Sequence, residues 1–539
     1  MTADPGLNTP RIAAGSQKEL AATVSARPWS MKASSSLRSI GDFLTGTMLL
    51  AVAVLVADGL VQQYLIVAES REESLRALLF LLPVLGFSIA GLVFALRCED
   101  ERRLNQAAIG IVAVSLVSRL IWVAVYDSYQ INDFGYYLHC AAESTPGGNP
   151  WQSIFCEGVR WKRVLFYTYP IVVLFGKSLQ AVELANVLLA TATSWLFYRA
   201  GRIIFGTRVA VIGLLLFIWH PDVWYAVTLA SHDVPGLFWL AVFFCLCAIL
   251  HRRLATAPSW GDSAGRVVLL SLGVGITMFF LDFIRSYHLG AILALTGFVI
   301  LNSFRLLTAK PGNEDHGAGS LEGGGPSRVS SDRLKAAAAS AAFLLVLPVV
   351  TYGIAVKGFL TLARLQARSG GSGLLCYVSS IEVLGTNTYD EITDWYEKQC
   401  PKVKPEDKLS YAARKLLHDV THDPKQFLLY LERKNRLLSR PDDYLDWSSA
   451  NESEPWDTTA PQVKRINDRY LEEQRRATAL AYALILLLVL VRVLLWPRIP
   501  FRPQEWIVLC FSGGLYAALL FLLETQPRYD IFLAFSFSW

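Results

Sequence analysis

Eleven apolar runs set the terms for any fold this chain can adopt. They cover residues 43–61, 78–96, 107–125, 184–198, 209–219, 237–250, 267–281, 289–301, 338–356, 480–495 and 506–523. A helix needs about 20 mostly apolar residues to cross ~30 Å of hydrocarbon, and inside it every backbone N–H and C=O must be satisfied within the segment. Several runs fall short of that length, so the expectation is about 11–12 spans with loose boundaries. Composition agrees, with 53% hydrophobic and 12% aromatic residues against 18% charged and a mean hydropathy of +0.37. Those values exclude a disordered chain. The expected fold class is mainly α, a polytopic helical membrane protein.

Basic residues give the orientation. Arg11, Lys18, Arg27, Lys32 and Arg38 precede the first run, and Arg97, Arg102 and Arg103 follow the second. Further clusters are Arg199, Arg202 and Arg208, then Arg252, Arg253 and Arg266, then Arg305, Lys310, Arg328, Arg333 and Lys335, and finally Arg498 and Arg502. These fall on alternate connections, and cytoplasmic flanks collect Lys and Arg. The N-terminus is therefore expected in the cytoplasm, in a bacterial-type inner (plasma) membrane, with no cleavable signal peptide. The formal net charge of +5 belongs to these flanks and does not point to nucleic acid.

The same topology sorts the eight cysteines. Cys245, Cys247 and Cys510 lie in spans, and Cys98 is cytoplasmic. Cys140 and Cys156 share one outer loop, Cys376 and Cys400 another. A pair in each outer loop points to two disulfides in an oxidising compartment, against the alternative of unpaired thiols. No cysteine or histidine spacing fits a structural zinc.

Between the spans, the chain divides by composition. Residues 1–42 form a cytoplasmic segment, and 43–310 a first membrane module. That module contains an outer loop at 126–163 and a short apolar stretch at 164–176, read as a helix lying in the interface. Residues 311–335 are Gly- and Ser-rich and read as a flexible linker. A span at 336–356 leads to an outer domain at 357–476, and 477–539 hold the last spans. Asp423-Pro424 starts a helix carrying Phe427, Leu428, Tyr430 and Leu431. Lys434 on that helix reads as a solvated face, and Asn451-Glu-Ser453 has sequon form.

The most informative loop reads Ile131-Asn-Asp-Phe-Gly-Tyr-Tyr-Leu-His-Cys-Ala-Ala142. Its acidic residue and aromatic pair sit at a membrane boundary, where a lipid-linked phosphate rests and an acceptor hydroxyl can approach. With other landmarks it resembles the GT-C class of integral-membrane glycosyltransferases, nearest to the protein O-mannosyltransferase and aminoarabinose-transferase-like branch (glycosyltransferase family 39-like). Asp133-Phe-Gly-Tyr-Tyr137 is similar to the acidic first loop of that class. Arg163-Val-Leu-Phe-Tyr-Thr-Tyr-Pro170, closing in Phe175-Gly176, resembles its juxtamembrane helix. Arg202-Ile-Ile-Phe-Gly206 resembles the turn after the next span. Pro221 followed by Leu229 to Asp233 looks like its short re-entering segment, and Glu524-Thr-Gln-Pro-Arg-Tyr529 like its Arg-Tyr element. The likeness covers roughly residues 105–305 by ordered landmarks and the C-terminal end more loosely. Two features depart from it. Asn132-Asp133 replaces a paired acidic dipeptide, and the chain ends ten residues after Tyr529, so the final span reads as short or truncated.

The resemblance implies transfer of a sugar from a polyprenyl-phosphate donor to an acceptor on the outer (periplasmic) face, with inversion. The acceptor class is a glycolipid, polysaccharide or protein. Such a reaction needs a base for the acceptor hydroxyl and positive charge for the departing phosphate. Asp133 is the candidate base, with Asp127 in reserve, although Asp133 also suits an N-cap of a helix over 134–142. Arg528 and Arg285 are candidates for the phosphate, because guanidinium forms a bidentate fork with phosphate oxygens. Tyr529 could add a hydroxyl donor, and Lys162 with Arg163 could hold headgroups. The alternative for these cations is snorkelling or an interfacial rim. His232 and Asp233 could position the sugar or a divalent cation (Mg or Mn), or simply cap the next span. Tyr136 and Tyr137 suit either sugar stacking or an aromatic belt. The rival function classes are a transporter or lipid flippase, which predicts broken helices and mirrored halves, and a non-catalytic scaffold.

Overall fold

The computed structural model describes residues 71–126, 132–143, 164–256, 260–285, 287–308, 329–362, 420–438 and 465–495, with isolated positions at 50–68, 128, 130, 414–418 and 505–513. Among these residues the regular structure is helical: α1 (Arg71–Arg97), α2 (Glu101–Val125), α3 (Asn132–Glu143), α4 (Thr168–Phe175), α5 (Leu179–Ile204), α6 (Thr207–Ile218), α7 (Pro221–Ala226), α8 (Asp233–Thr256), α9 (Trp260–Arg285), α10 (His288–Thr308), α11 (Val329–Ala341), α12 (Leu347–Leu362), α13 (Pro424–Leu438) and α14 (Arg465–Leu494). Among the described residues six helices are long and apolar enough to cross a membrane: Glu101–Val125, Leu179–Ile204, Asp233–Leu254, Ala264–Ile284, Leu334–Phe359 and Glu473–Leu494. Three shorter apolar helices accompany them, Val84–Arg97, Thr207–Ile218 and His288–Ser303. This is the polytopic helical class the apolar runs demand.

Local chemistry sets the helix ends. The Asp100 carboxylate accepts the Arg102 N–H at 2.8 Å and starts α2. Ser178 Oγ accepts the Ala181 N–H at 3.2 Å and starts α5. Between α5 and α6 the chain reverses through Gly206 at φ +91°, a conformation that costs an L side chain but not glycine. As expected, Asp423 begins α13: its carboxylate accepts the Gln426 N–H at 3.0 Å, with Pro424 as the first helical residue.

α8 is the centre of the bundle. It packs against α5 on one side and α9 on the other, and α9 in turn packs against α12. α2 and α6 cover the far side of α5, while α1 joins α6 and α14. Some 72% of the α8 apolar window is buried, against 22% for α2 and 17% for the 334–359 helix. The peripheral helices therefore keep apolar side chains such as Ile121, Leu269 and Ile354 on the outside, as a lipid-facing surface requires. The α8–α9 seam is aromatic, with Trp239 and Phe280 stacked at 4.0 Å.

The 334–359 helix is interrupted by a π turn at Ala342–Val346. Pro348 lacks an N–H, and Ser271 Oγ of α9 donates to the Phe343 carbonyl at 2.6 Å, so an interhelical bond steps in where the ladder is disturbed. α9 and α12 approach so closely that a Cβ on Gly275 would stand 2.6 Å from the Pro348 carbonyl oxygen.

Some sequence expectations are corrected. Lys434 is 7% exposed rather than solvated. The neighbouring Asn435 amide donates to Asp58 at 2.5 Å, so tertiary docking covers this part of α13. The helix beginning at Val329 takes up the end of the stretch read as linker. Asp133 lies inside the first turn of α3 rather than at its cap, since α3 begins at Asn132.

Candidate functional site

The site is built on the segment that leads into α8, where every residue from Tyr225 to Leu237 is buried. A buried non-helical segment has to find partners for its backbone, and two side-chain amides supply them. Asn186, in the middle of apolar α5, donates to the carbonyls of Val227 at 3.2 Å and Leu229 at 2.8 Å. Its own carbonyl accepts the Tyr167 hydroxyl. Gln130 donates to the Thr228 carbonyl at 3.1 Å and accepts the Ala230 N–H at 2.7 Å. Ser128 Oγ also donates to the Thr228 carbonyl, at 3.0 Å. Residues 227–230 are thus clamped from both sides by groups about a hundred positions (Gln130, Ser128) or forty positions (Asn186) distant in the chain.

The clamp delivers His232 and Asp233 to the head of α8, both fully buried. Ser231 Oγ accepts the Asp233 N–H at 3.2 Å. His232 Nε2 shares a hydrogen bond with Thr168 Oγ1 at 3.4 Å. Two tyrosine rings meet the imidazole edge-on, Tyr137 at 4.1 Å and Tyr167 at 6.0 Å between centroids. Burial pushes the Tyr167 hydroxyl above its ordinary pKa, so it acts as a neutral donor.

Tyr137 belongs to α3, the helix that carries Asp133. Residues four apart share a helix face, so position 133 lies one turn before the residue that contacts His232. α3 also packs on α4, and Tyr136 stands edge-on to Tyr137 at 6.2 Å. α4 is eight residues long and too short to cross. It turns Val173, Leu174 and Phe175 outward while Thr168 and Val172 face in.

A second buried polar cluster ties α14 to the same segment. Asp222, 2% exposed, accepts the Tyr482 hydroxyl, and the Tyr225 hydroxyl donates to Gln474 at 3.3 Å. Burial, then neighbouring Tyr126, raises the Tyr225 pKa. His220 stands edge-on to Tyr482 at 4.9 Å. Its Nδ1 is 3.9 Å from the Asp222 carboxylate, too far for a hydrogen bond, and neither ring nitrogen has a partner. Burial lowers its pKa to about 3, leaving a neutral imidazole. Nearby, fully buried Arg119 of α2 donates to Ser194 Oγ at 3.3 Å and towards the last carbonyl of α6, Ile218, at 3.5 Å, where the helix dipole favours a cation.

At the same end of the bundle, Asp282 bridges two elements. It accepts the Tyr352 hydroxyl at 2.9 Å and pairs with His288 Nδ1 at 2.8 Å, while the His288 and Tyr352 rings stack at 5.1 Å. Arg285 is the last residue of α9, beside this cluster in sequence.

Of the residues singled out by sequence, the structure brings together Tyr137, His232 and Asp233, with Tyr136 and position 133 on the adjoining helix. Asp127, Lys162, Arg163, Arg528 and Tyr529 lie outside the described residues, as do the Asp133 and Arg285 side chains. Cys140 is fully buried and disulfide-bonded, whereas Cys156, Cys376 and Cys400 lie outside the described residues and their pairing stays a proposal. Cys98, Cys245, Cys247 and Cys510 are free thiols. Among the described residues no three His, Cys, Asp or Glu side chains gather to hold a metal. Sequence reasoning missed Asn186, Gln130, Asp222, His220 and Arg119. A polar residue within an apolar run was the available signal for Asn186 and Arg119.

No family model and no curated protein matches the chain. Among solved structures it is similar to the crystal structure of ArnT from Cupriavidus metallidurans bound to undecaprenyl phosphate, with 15% identity and a TM-score of 0.30 over 79% of this chain and 77% of that one. A superposition that loose assigns no role to any residue.

Proposed function

We propose that this protein is an integral-membrane glycosyltransferase that moves a sugar from a polyprenyl-phosphate donor to an acceptor hydroxyl on the outer face, with inversion. The observation that supports it best is the contact of Tyr137 with His232, which docks the helix bearing Asp133 onto the buried head of α8. It makes one constellation of two segments that the ordered GT-C-like landmarks had singled out separately. Asp133 takes the proton of the acceptor hydroxyl. The acceptor oxygen attacks the anomeric carbon as the carbon–oxygen bond to phosphate breaks on the opposite side. Polyprenyl phosphate leaves with the bonding electrons, and Arg528 and Arg285 stabilise its charge. His232 and Asp233 position the sugar, with a divalent cation (Mg or Mn) as an optional addition needing ligands beyond the described side chains.

The test uses purified protein in nanodiscs, radiolabelled polyprenyl-phosphate sugars and a membrane-lipid extract. Wild type is expected to move label into a new product, and Asp133→Asn to lose at least about 100-fold in rate, the usual scale for removing a general base. Full transfer by a folded Asp133→Asn protein would reject Asp133 as base. No transfer by wild type from any donor would reject the transferase reading and favour a transporter or a scaffold.

A further inference from the structure

At the opposite end of the bundle from the candidate site, α2, α5, α6 and α8 enclose an open cavity of about 490 Å³. Its polar lining comes from Glu101, Arg202, Gly206, Thr207 and Arg252. We propose that this cavity binds the phosphate of an anionic phospholipid headgroup in the cytoplasmic leaflet.

Three independent features converge there. First, two arginines from different helices, α5 and α8, line one cavity, and guanidinium is the side chain best matched to phosphate oxygens. Arg202 is pre-oriented: one of its N–H groups donates to Asn105 at 2.8 Å, and Asn105 is itself held by the Tyr198 hydroxyl at 2.5 Å. Arg202 also hydrogen-bonds the Tyr198 hydroxyl, so the guanidinium is held in place at the cavity while its five N–H donors exceed these two contacts. Second, the cavity receives the start of α6. Gly206 stands at its cap position and no side chain caps it, so the first N–H groups of a 12-residue helix and its positive dipole end meet the lining. Third, Glu101 adds a carboxylate whose Oε1 is engaged by the Thr207 hydroxyl at 2.5 Å. This acid lowers the excess positive charge and offers an acceptor to the hydroxyl or ammonium group of a headgroup.

The setting selects the source of the phosphate. Arg97, Arg102, Arg103, Arg199, Arg208 and Arg253 crowd the same helix ends, which marks the cytoplasmic side. Basic pockets between helices at that level bind lipid headgroups, aided by the negative potential of the inner leaflet. The inference rests on the membrane reading and on the orientation that the basic clusters give, and is independent of sugar transfer.

The test titrates purified detergent-solubilised protein with dioleoylphosphatidylglycerol, read by native mass spectrometry, with and without inorganic phosphate as competitor. Variants are Arg202→Ala/Arg252→Ala, the milder Arg252→Ala, and Arg253→Ala as a charge control outside the cavity. Wild type is expected to retain the lipid, and the double variant to bind it at least about tenfold more weakly. Arg252→Ala should fall between, and Arg253→Ala should match wild type. Competition by millimolar phosphate would show that the site reads phosphate from a soluble source as well. No competition would assign it to the lipid, and either outcome supports the site. Equal lipid binding by wild type and both cavity variants, or equal weakening by Arg253→Ala, would overturn it.

Discussion

Asn186 concentrates more of the architecture than its size suggests. One buried amide holds the Val227 and Leu229 carbonyls and receives the Tyr167 hydroxyl. Asn186→Ala takes a donor from two buried carbonyls and leaves the Tyr167 hydroxyl with the Val182 carbonyl at 3.4 Å, and each unsatisfied group costs about 1–3 kcal/mol. Thermal unfolding in detergent is expected to show a clear drop in Tm, and Asn186→Asp should not rescue it because a carboxylate cannot donate. An unchanged Tm in Asn186→Ala would show that Gln130 and Ser128 suffice to hold the 227–230 segment. His220 gives a pH prediction. Folded, its pKa is about 3 because it is buried without a partner; unfolded, it returns to about 6.5. Between those values the unfolded chain binds a proton that the folded chain refuses. Stability is therefore fully present above about pH 6.5 and falls as pH drops, by at most about 1.4 kcal/mol per unit. His220→Gln is expected to flatten the decline in Tm between pH 6 and pH 4, and an unaltered slope would place the acid sensitivity elsewhere.

At the scale of elements, close approach and edge-on ring contact hold the site together. α9 meets α12 where Gly275 has no side chain, and an added Cβ would run into the Pro348 carbonyl and Thr351 at 2.6 Å. Since backbone cannot step aside as a side chain does, Gly275→Leu is expected to destabilise by about 1–3 kcal/mol or more, read as lost thermal stability. Retention of full stability would mean the two helices can separate freely. α3 is docked through Tyr137. Tyr137→Ala should lower sugar transfer while Tyr137→Phe, which keeps the ring against His232, restores most of it. Equal loss in both variants would show that the hydroxyl rather than the ring carries the effect. Much of this level was legible beforehand: Asp423-Pro424 began a helix, and the apolar runs within the described residues fell on helices. The start of α3 was not, because helix ends depend on local hydrogen bonds that periodicity does not report.

For the whole molecule, the bundle has a polar buried end at His232 and an arginine-rich end at Arg202 and Arg252. Orientation can be read from Cys98, a partly exposed free thiol at the arginine-rich end. In a variant with Cys98 as its single cysteine, a membrane-impermeant maleimide is expected to label permeabilised but not intact cells. Labelling of intact cells would invert the topology and move the proposed lipid cavity to the outer leaflet.

By itself the sequence determined that this chain is a helical membrane protein, since hydrocarbon admits apolar stretches only when their backbone bonds close internally. It also marked Tyr137, His232 and Asp233. Tertiary structure alone decided that these three meet, because the contact joins residues 95 positions apart. It alone decided that Lys434 is covered, that Gln130 and Asn186 clamp a segment remote from both, and that Arg202 and Arg252 share a cavity. Burial and hydrogen bonding are properties of neighbours in space, and a single chain read in order contains no statement of which distant neighbours its folding will supply.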